Sequence, residues 1–132
     1  MRQTFYSLII FLFTFASTPT YSAEVCSLVS GAVVLAQDDE NTYLGKIASS
    51  YDSKSIFNEY GEFGSEYSSK SIWNNYGTFG SEYSTYSPHN KYSSTPPIIV
   101  KDGKILGYLS ANKSLGGSIS PNLLKELCKD SL

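Results

Sequence analysis

The sequence predicts an α+β fold: a small antiparallel sheet of two hairpins, a C-terminal helix, and an aromatic, Gly- and Ser-rich repeat insert of short turns. Three observations carry this expectation. Two pairs of short β-prone runs are each broken by a polar turn, at 32–47 and 97–109. A capped amphipathic stretch closes the chain at 121–129. Between the hairpins, residues 51–92 repeat a sixteen-residue unit.

The first hairpin reads GAVVLAQ, then the polar turn DDEN, then TYLGKI. Asp38, Asp39 and Glu40 lack the alternating ligand order of a calcium loop and read as a solvated turn. The second hairpin reads PIIV, KDGK and ILGYL, where Asp102-Gly103 supplies the positive φ angles of a tight turn. LGKI at 44–47 and LGYL at 106–109 close the two hairpins alike. Ser55-Ile56 follows the first and Ser118-Ile119 the second, so the chain restarts its own pattern. In SPNLLKELCK, Ser120 is the expected N-cap and Pro121 the first helical residue. Leu123 and Leu127 are expected on one face, with Leu124 and Cys128 beside them.

The insert is a duplication. YDSKSIFNEYGEFGSE (51–66) and YSSKSIWNNYGTFGSE (67–82) are identical at twelve of sixteen positions, and YSTYSPHNKY (83–92) is a partial third copy. Each unit is expected to form a serine-capped helical turn through SIFNEY or SIWNNY, with Ile56 and Tyr60, or Ile72 and Tyr76, on one face. Gly61 and Gly77 are expected to end that turn as left-handed residues, and FGSEY to return as a short strand.

The ends of the chain bear on location. Arg2 precedes an apolar run from Phe5 to Ala16 and then small residues, the order of a secretory leader cut before Ala23. The expected organisation is therefore a leader at 1–22 and a single exported domain at 23–132. It would be secreted or periplasmic, with no stable membrane span after cleavage. Cys26 and Cys128 are the only two cysteines; in an exported chain they read as one disulfide. Unpaired thiols or pairing with another chain are the alternatives.

A formal charge of −2 gives no electrostatic footprint for nucleic acid. The single histidine, His89, aligns with Phe57 and Trp73 and reads as a ring filling a structural slot. No catalytic residue, metal site or cofactor is nominated, because one histidine and two bridged cysteines supply too few ligands for zinc. Glu66 and Glu82 are equivalent through the duplication itself, and Glu59 and Glu62 belong to the first unit only. The mixture of Tyr, Ser, Gly and Asn resembles that of paratopes, which join rigid amphipathic rings to adaptable hydrogen bonds. Trp73, Tyr60, Tyr76, Asn58, Asn74 and Asn90 are accordingly the candidate ligand contacts. The competing reading is that these aromatics are the repeat's only core. Three function classes follow: a non-enzymatic binding module for an extracellular or periplasmic ligand or protein, such as a glycan or envelope component; a small secreted hydrolase or enzyme inhibitor; or a structural envelope component packing through its tyrosines. Asn112-Lys113-Ser114 forms a glycosylation sequon.

The run YxSxSIxNxYGxFGSEYS followed by TPPIIVKDGKILGYLSAN resembles a family of small exported bacterial proteins with tandem YGx[YF]GSxYS units. The likeness spans about residues 43–113. The chain departs from it at Ser94-Thr95, before Pro96-Pro97, where the family usually carries Asn. The resemblance implies an exported location and carries over no catalytic residue.

Overall fold

The computed structural model describes residues 21–132, so the expected leader, apart from Tyr21 and Ser22, lies outside the described residues. In chain order the elements are α1 (Tyr21–Val29), β1 (Val33–Leu35), β2 (Tyr43–Lys46), β3 (Ile98–Lys101), β4 (Lys104–Leu109), β5 (Ser118–Ile119) and α2 (Pro121–Cys128). The α+β class holds. The five strands lie in the order β2-β1-β3-β4-β5, antiparallel except for the β4–β5 pair.

Two elements depart from the expectation. α1 was not anticipated; its buried residues, Cys26 and Val29, sit one helical turn apart, a stripe too short to stand out beside the β-prone run after it. The expected cut before Ala23 falls inside this helix. β5 makes a fifth strand, where two hairpins give four, and it explains the echo between the halves. Tyr108 N–H donates to the Gly117 carbonyl (2.9 Å), as Lys46 N–H donates to the Lys54 carbonyl (2.9 Å). In each half a Ser-Ile dipeptide lies parallel to the second hairpin strand, Ser55 against Lys46 and Ser118 against Tyr108.

The register makes the likeness a local two-fold. β1 and β3 pair through Val33↔Val100, Val34↔Ile99 and Leu35↔Ile98, with Val34 and Ile99 at the centre. Both hairpins then slip register, between Val33 and Leu35 and between Ile99 and Val100. Gly45 and Gly107 occupy equivalent places. A Cβ on Gly107 would overlap the Gly117 carbonyl oxygen, and one on Gly45 would meet the Lys54 carbonyl at 3.0 Å. The repeated LGxx motif thus leaves room for the backbone that crosses each strand. Asp102 (φ 52°) and Gly103 (φ 77°) form the expected tight turn.

α2 is capped as anticipated: Ser120 accepts from Leu123 N–H (3.0 Å) and Pro121 opens the helix. Its buried side is Pro121, Leu124 and Cys128, with Leu127 packed at the margin. Leu123 faces solvent instead of sharing that stripe, because it lies about 100° round the helix from Leu124. Cys26 and Cys128 form a disulfide across the two helices, with Cα atoms 5.4 Å apart. One core joins sheet, helices and repeat: Val34, Leu44, Ile99 and Leu109 meet Val29, Leu124, Ile56, Phe57 and Ile72.

Candidate functional site

The insert contains neither the expected helical turns nor the expected return strands. It is a chain of linked β-turns in which the residue closing one turn opens the next. Backbone N–H groups of Asp52, Ser55, Asn58 and Gly61 each donate to the carbonyl three residues earlier, and Ser65 donates to Gly61, four residues earlier. The same series recurs at Ser68, Ser71, Asn74, Gly77 and Ser81, and again at Ser84, Ser87, Asn90 and Ser93. A sixteen-residue unit is therefore four steps of three residues and one of four.

The corner residues explain the composition. Ser, Asp or Asn stands at most corners, and its side-chain oxygen accepts the N–H two residues on. Ser55 accepts from Phe57 (2.9 Å), Asn58 from Tyr60 (3.0 Å), Ser71 from Trp73 (3.0 Å) and Asn90 from Tyr92 (3.0 Å). These local bonds satisfy the backbone without helix or strand. The signal was in the sequence as a polar or small residue at every third position, a period that helix and strand templates do not test.

The three asparagines make a second bond to the backbone, as Ser84 does to the Thr78 carbonyl. Asn58, Asn74 and Asn90 donate through Nδ2 to the carbonyls of Asp52, Ser68 and Ser84, six residues back, at 3.2, 3.1 and 3.0 Å. Each carboxamide clamps two successive turns. Gly64 and Gly80 sit at the four-residue step, where a Cβ would overlap the carbonyl oxygen of Asn58 or Asn74. Gly61 and Gly77 are not left-handed. They stand at corners, where a Cβ would crowd the Asn58 or Asn74 carboxamide.

Sorting by position within the unit separates core from surface. Ser55, Ser71 and Ser87 are buried, as are Ile56, Ile72 and Pro88 after them. Next come Phe57, Trp73 and His89. Trp73 Nε1 donates to the Ile56 carbonyl (2.6 Å), and its ring meets His89 edge-on with centroids 5.5 Å apart. The units therefore stack, with equivalent residues in contact. His89 fills the aromatic slot as expected. Burial pushes its pKa below the ordinary value, opposed by the Ile72 carbonyl and Glu82 and aided by Lys125.

The tyrosines point the other way. Tyr51, Tyr67 and Tyr83 hold one position of the unit, and Tyr60, Tyr76 and Tyr92 another; all six are 82–99% exposed. Ile56 and Tyr60, expected on one face, are separated completely, because a three-residue step turns successive side chains apart. Of the sequence candidates, Tyr60 and Tyr76 are free surface rings, Trp73 is half-buried, and the three asparagines are engaged with the backbone.

Two open grooves run along this surface beside α2. One, of about 710 Å³, is lined by Tyr60, Tyr67, Trp73, Glu66, Asn75 and Lys125 among others. The second, of about 460 Å³, includes Tyr51, Phe57, Glu59, Tyr60 and Lys129. Lys125 Nζ lies 4.4 Å from the Trp73 ring centre, and Lys129 pairs with Glu59 at 3.8 Å. Sequence reasoning missed both lysines as part of this surface; their i, i+4 spacing on the polar side of α2 was the available signal. Glu59, Glu62, Glu66 and Glu82 are all exposed. Among the described residues no group of three His, Cys, Asp or Glu side chains is placed to hold a metal ion, and no helix is long and apolar enough to cross a membrane. The chain matches no family model, no curated protein and no solved structure.

Proposed function

We propose that the protein is an exported, non-enzymatic binding module whose ligand, a glycan or other envelope component, lies against the tyrosine surface of the repeat. The observation that carries this reading is the exposure of six tyrosines on a backbone held by its own turns. Large rings left in water contribute little to folding, whereas rigid rings with few rotatable bonds make low-entropy contacts to a partner. The core of the repeat is supplied by Ile56, Ile72, Phe57 and Pro88, so the tyrosines are free for that role. Of the sequence candidates, Tyr60 and Trp73 line one groove and Tyr76 follows one unit on. Asn58, Asn74 and Asn90 act by setting where those rings stand. Export rests on the leader-like N-terminus, on the family resemblance, and on a disulfide of the kind kept in oxidising compartments.

Co-sedimentation with insoluble envelope fragments tests the reading, with Trp73 fluorescence as a second readout. The full chain is expected to sediment with the fragments, and Tyr60→Ser/Tyr76→Ser to remain in the supernatant with its circular dichroism unchanged. Equal retention of both proteins, or retention of neither, would overturn it.

A further inference from the structure

The two grooves beside α2 are copies of each other. Tyr51, Phe57 and Glu59 of one correspond, sixteen residues on, to Tyr67, Trp73 and Asn75 of the other. Glu59 and Tyr60 line both and form the wall between them. Each groove takes one lysine from α2, Lys129 in the first and Lys125 in the second. Four helical residues separate these lysines, a rise of about 6 Å. A second ruler agrees: the rings of Trp73 and His89, equivalent positions in neighbouring units, are 5.5 Å apart. α2 thus runs antiparallel to the stack, and its lysines keep step with the repeat.

We propose that these grooves are consecutive subsites for a linear, extended polysaccharide, taking one sugar ring per unit of the repeat. This rests on the binding reading above and names its ligand class. A step of about 6 Å is close to the length of one pyranose ring with its linkage in an extended chain. Each subsite offers what a sugar ring needs: exposed tyrosine faces for its C–H surface, and charged and amide groups at the margin for its hydroxyls. Acidic Glu59 and Glu66 stand near basic Lys129 and Lys125, so the surface carries both signs and suits a neutral sugar better than a polyanion. The tyrosine files continue to Tyr76, Tyr83 and Tyr92, but α2 carries no further lysine to complete a third subsite.

The test is titration of the full chain with β-linked N-acetylglucosamine as monosaccharide, disaccharide and tetrasaccharide, followed by calorimetry and Trp73 fluorescence. Affinity is expected to rise about tenfold or more from one ring to two. Tyr51→Ser is expected to abolish that rise while leaving monosaccharide binding within twofold, and Tyr60→Ser to weaken every length. All these rings are exposed, so the variants keep the fold. Affinity independent of length, or a rise that survives Tyr51→Ser and Tyr67→Ser alike, would overturn the consecutive subsites. Envelope fragments that are retained while no oligosaccharide binds would overturn the polysaccharide assignment and leave the binding reading standing. Loss of both signals would remove the binding reading itself.

Discussion

The third slot of the repeat's Ser-x-x-Asn segment holds Phe57, Trp73 and then His89, and the change to an ionisable ring has a measurable consequence. Burial lowers the His89 pKa from its ordinary value of 6.5. The unfolded chain therefore binds a proton before the folded one does, so stability is complete above about pH 6.5 and falls as pH drops toward the folded value. This is the only histidine in the chain. Thermal melts between pH 7.5 and 5.5 are expected to show a falling Tm for the native chain and a flat one for His89→Phe. Asn74 gives a second test at the same scale. Asn74→Asp keeps the oxygen that accepts from Tyr76 but loses the donor to the Ser68 carbonyl. It should cost about 1–2 kcal/mol by urea unfolding, the value of one hydrogen bond and its unpaired partner. Glycine at 80 is required by space: Gly80→Ala should cost about 3 kcal/mol or more through overlap with the Asn74 carbonyl. Gly116, which has open space around its Cβ position, should accept Ala within about 0.5 kcal/mol.

Elements differed in how far the sequence announced them. The tight turn at Asp102-Gly103, the Ser120 cap and the two hairpins rest on local chemistry and were readable at once. α1 was hidden because it buries only Cys26 and Val29, too few to give a helical period. β5 was visible only as an echo, since a two-residue strand has no periodicity of its own. The repeat was obvious as a duplication, yet its backbone was not: successive turns satisfy their polar groups through side chains, and the usual templates look for backbone ladders. The same gap affected the candidate site. Tyr60 and Tyr76 stand exposed and Trp73 half-buried, a difference that composition does not predict. The turn-clamping bonds of Asn58, Asn74 and Asn90 could not be read from the sequence, because a residue that clamps a turn and one that meets a ligand look alike there; Asn58 both lines a groove and clamps a turn. At this scale Ser120→Ala should cost about 1 kcal/mol.

Across the whole molecule, one core and one covalent link hold three unlike parts together. The stack is tied at both ends to the sheet: Ile56 N–H donates to the Lys46 carbonyl (2.9 Å) at one end, and Ala111 N–H to the Pro88 carbonyl (2.7 Å) at the other. Asn112, the sequon residue, donates to the Ser93 carbonyl (2.9 Å) and extends the same clamp. The Cys26–Cys128 link closes nearly the full length of the domain. Its removal in Cys26→Ala/Cys128→Ala should cost roughly 4–5 kcal/mol in the chain-entropy account, read from urea unfolding under oxidising conditions. The central claim is a division of labour within the repeat, in which buried residues such as Phe57, Ile56 and Ile72 hold the stack and the exposed tyrosines do not. Urea unfolding of a variant with Tyr51, Tyr60, Tyr67, Tyr76, Tyr83 and Tyr92 all changed to Ser tests it most directly, beside Phe57→Ala. The account predicts a midpoint near that of the native chain for the tyrosine variant and a loss of about 3–5 kcal/mol for Phe57→Ala. A tyrosine variant that unfolds as readily as Phe57→Ala would contradict it.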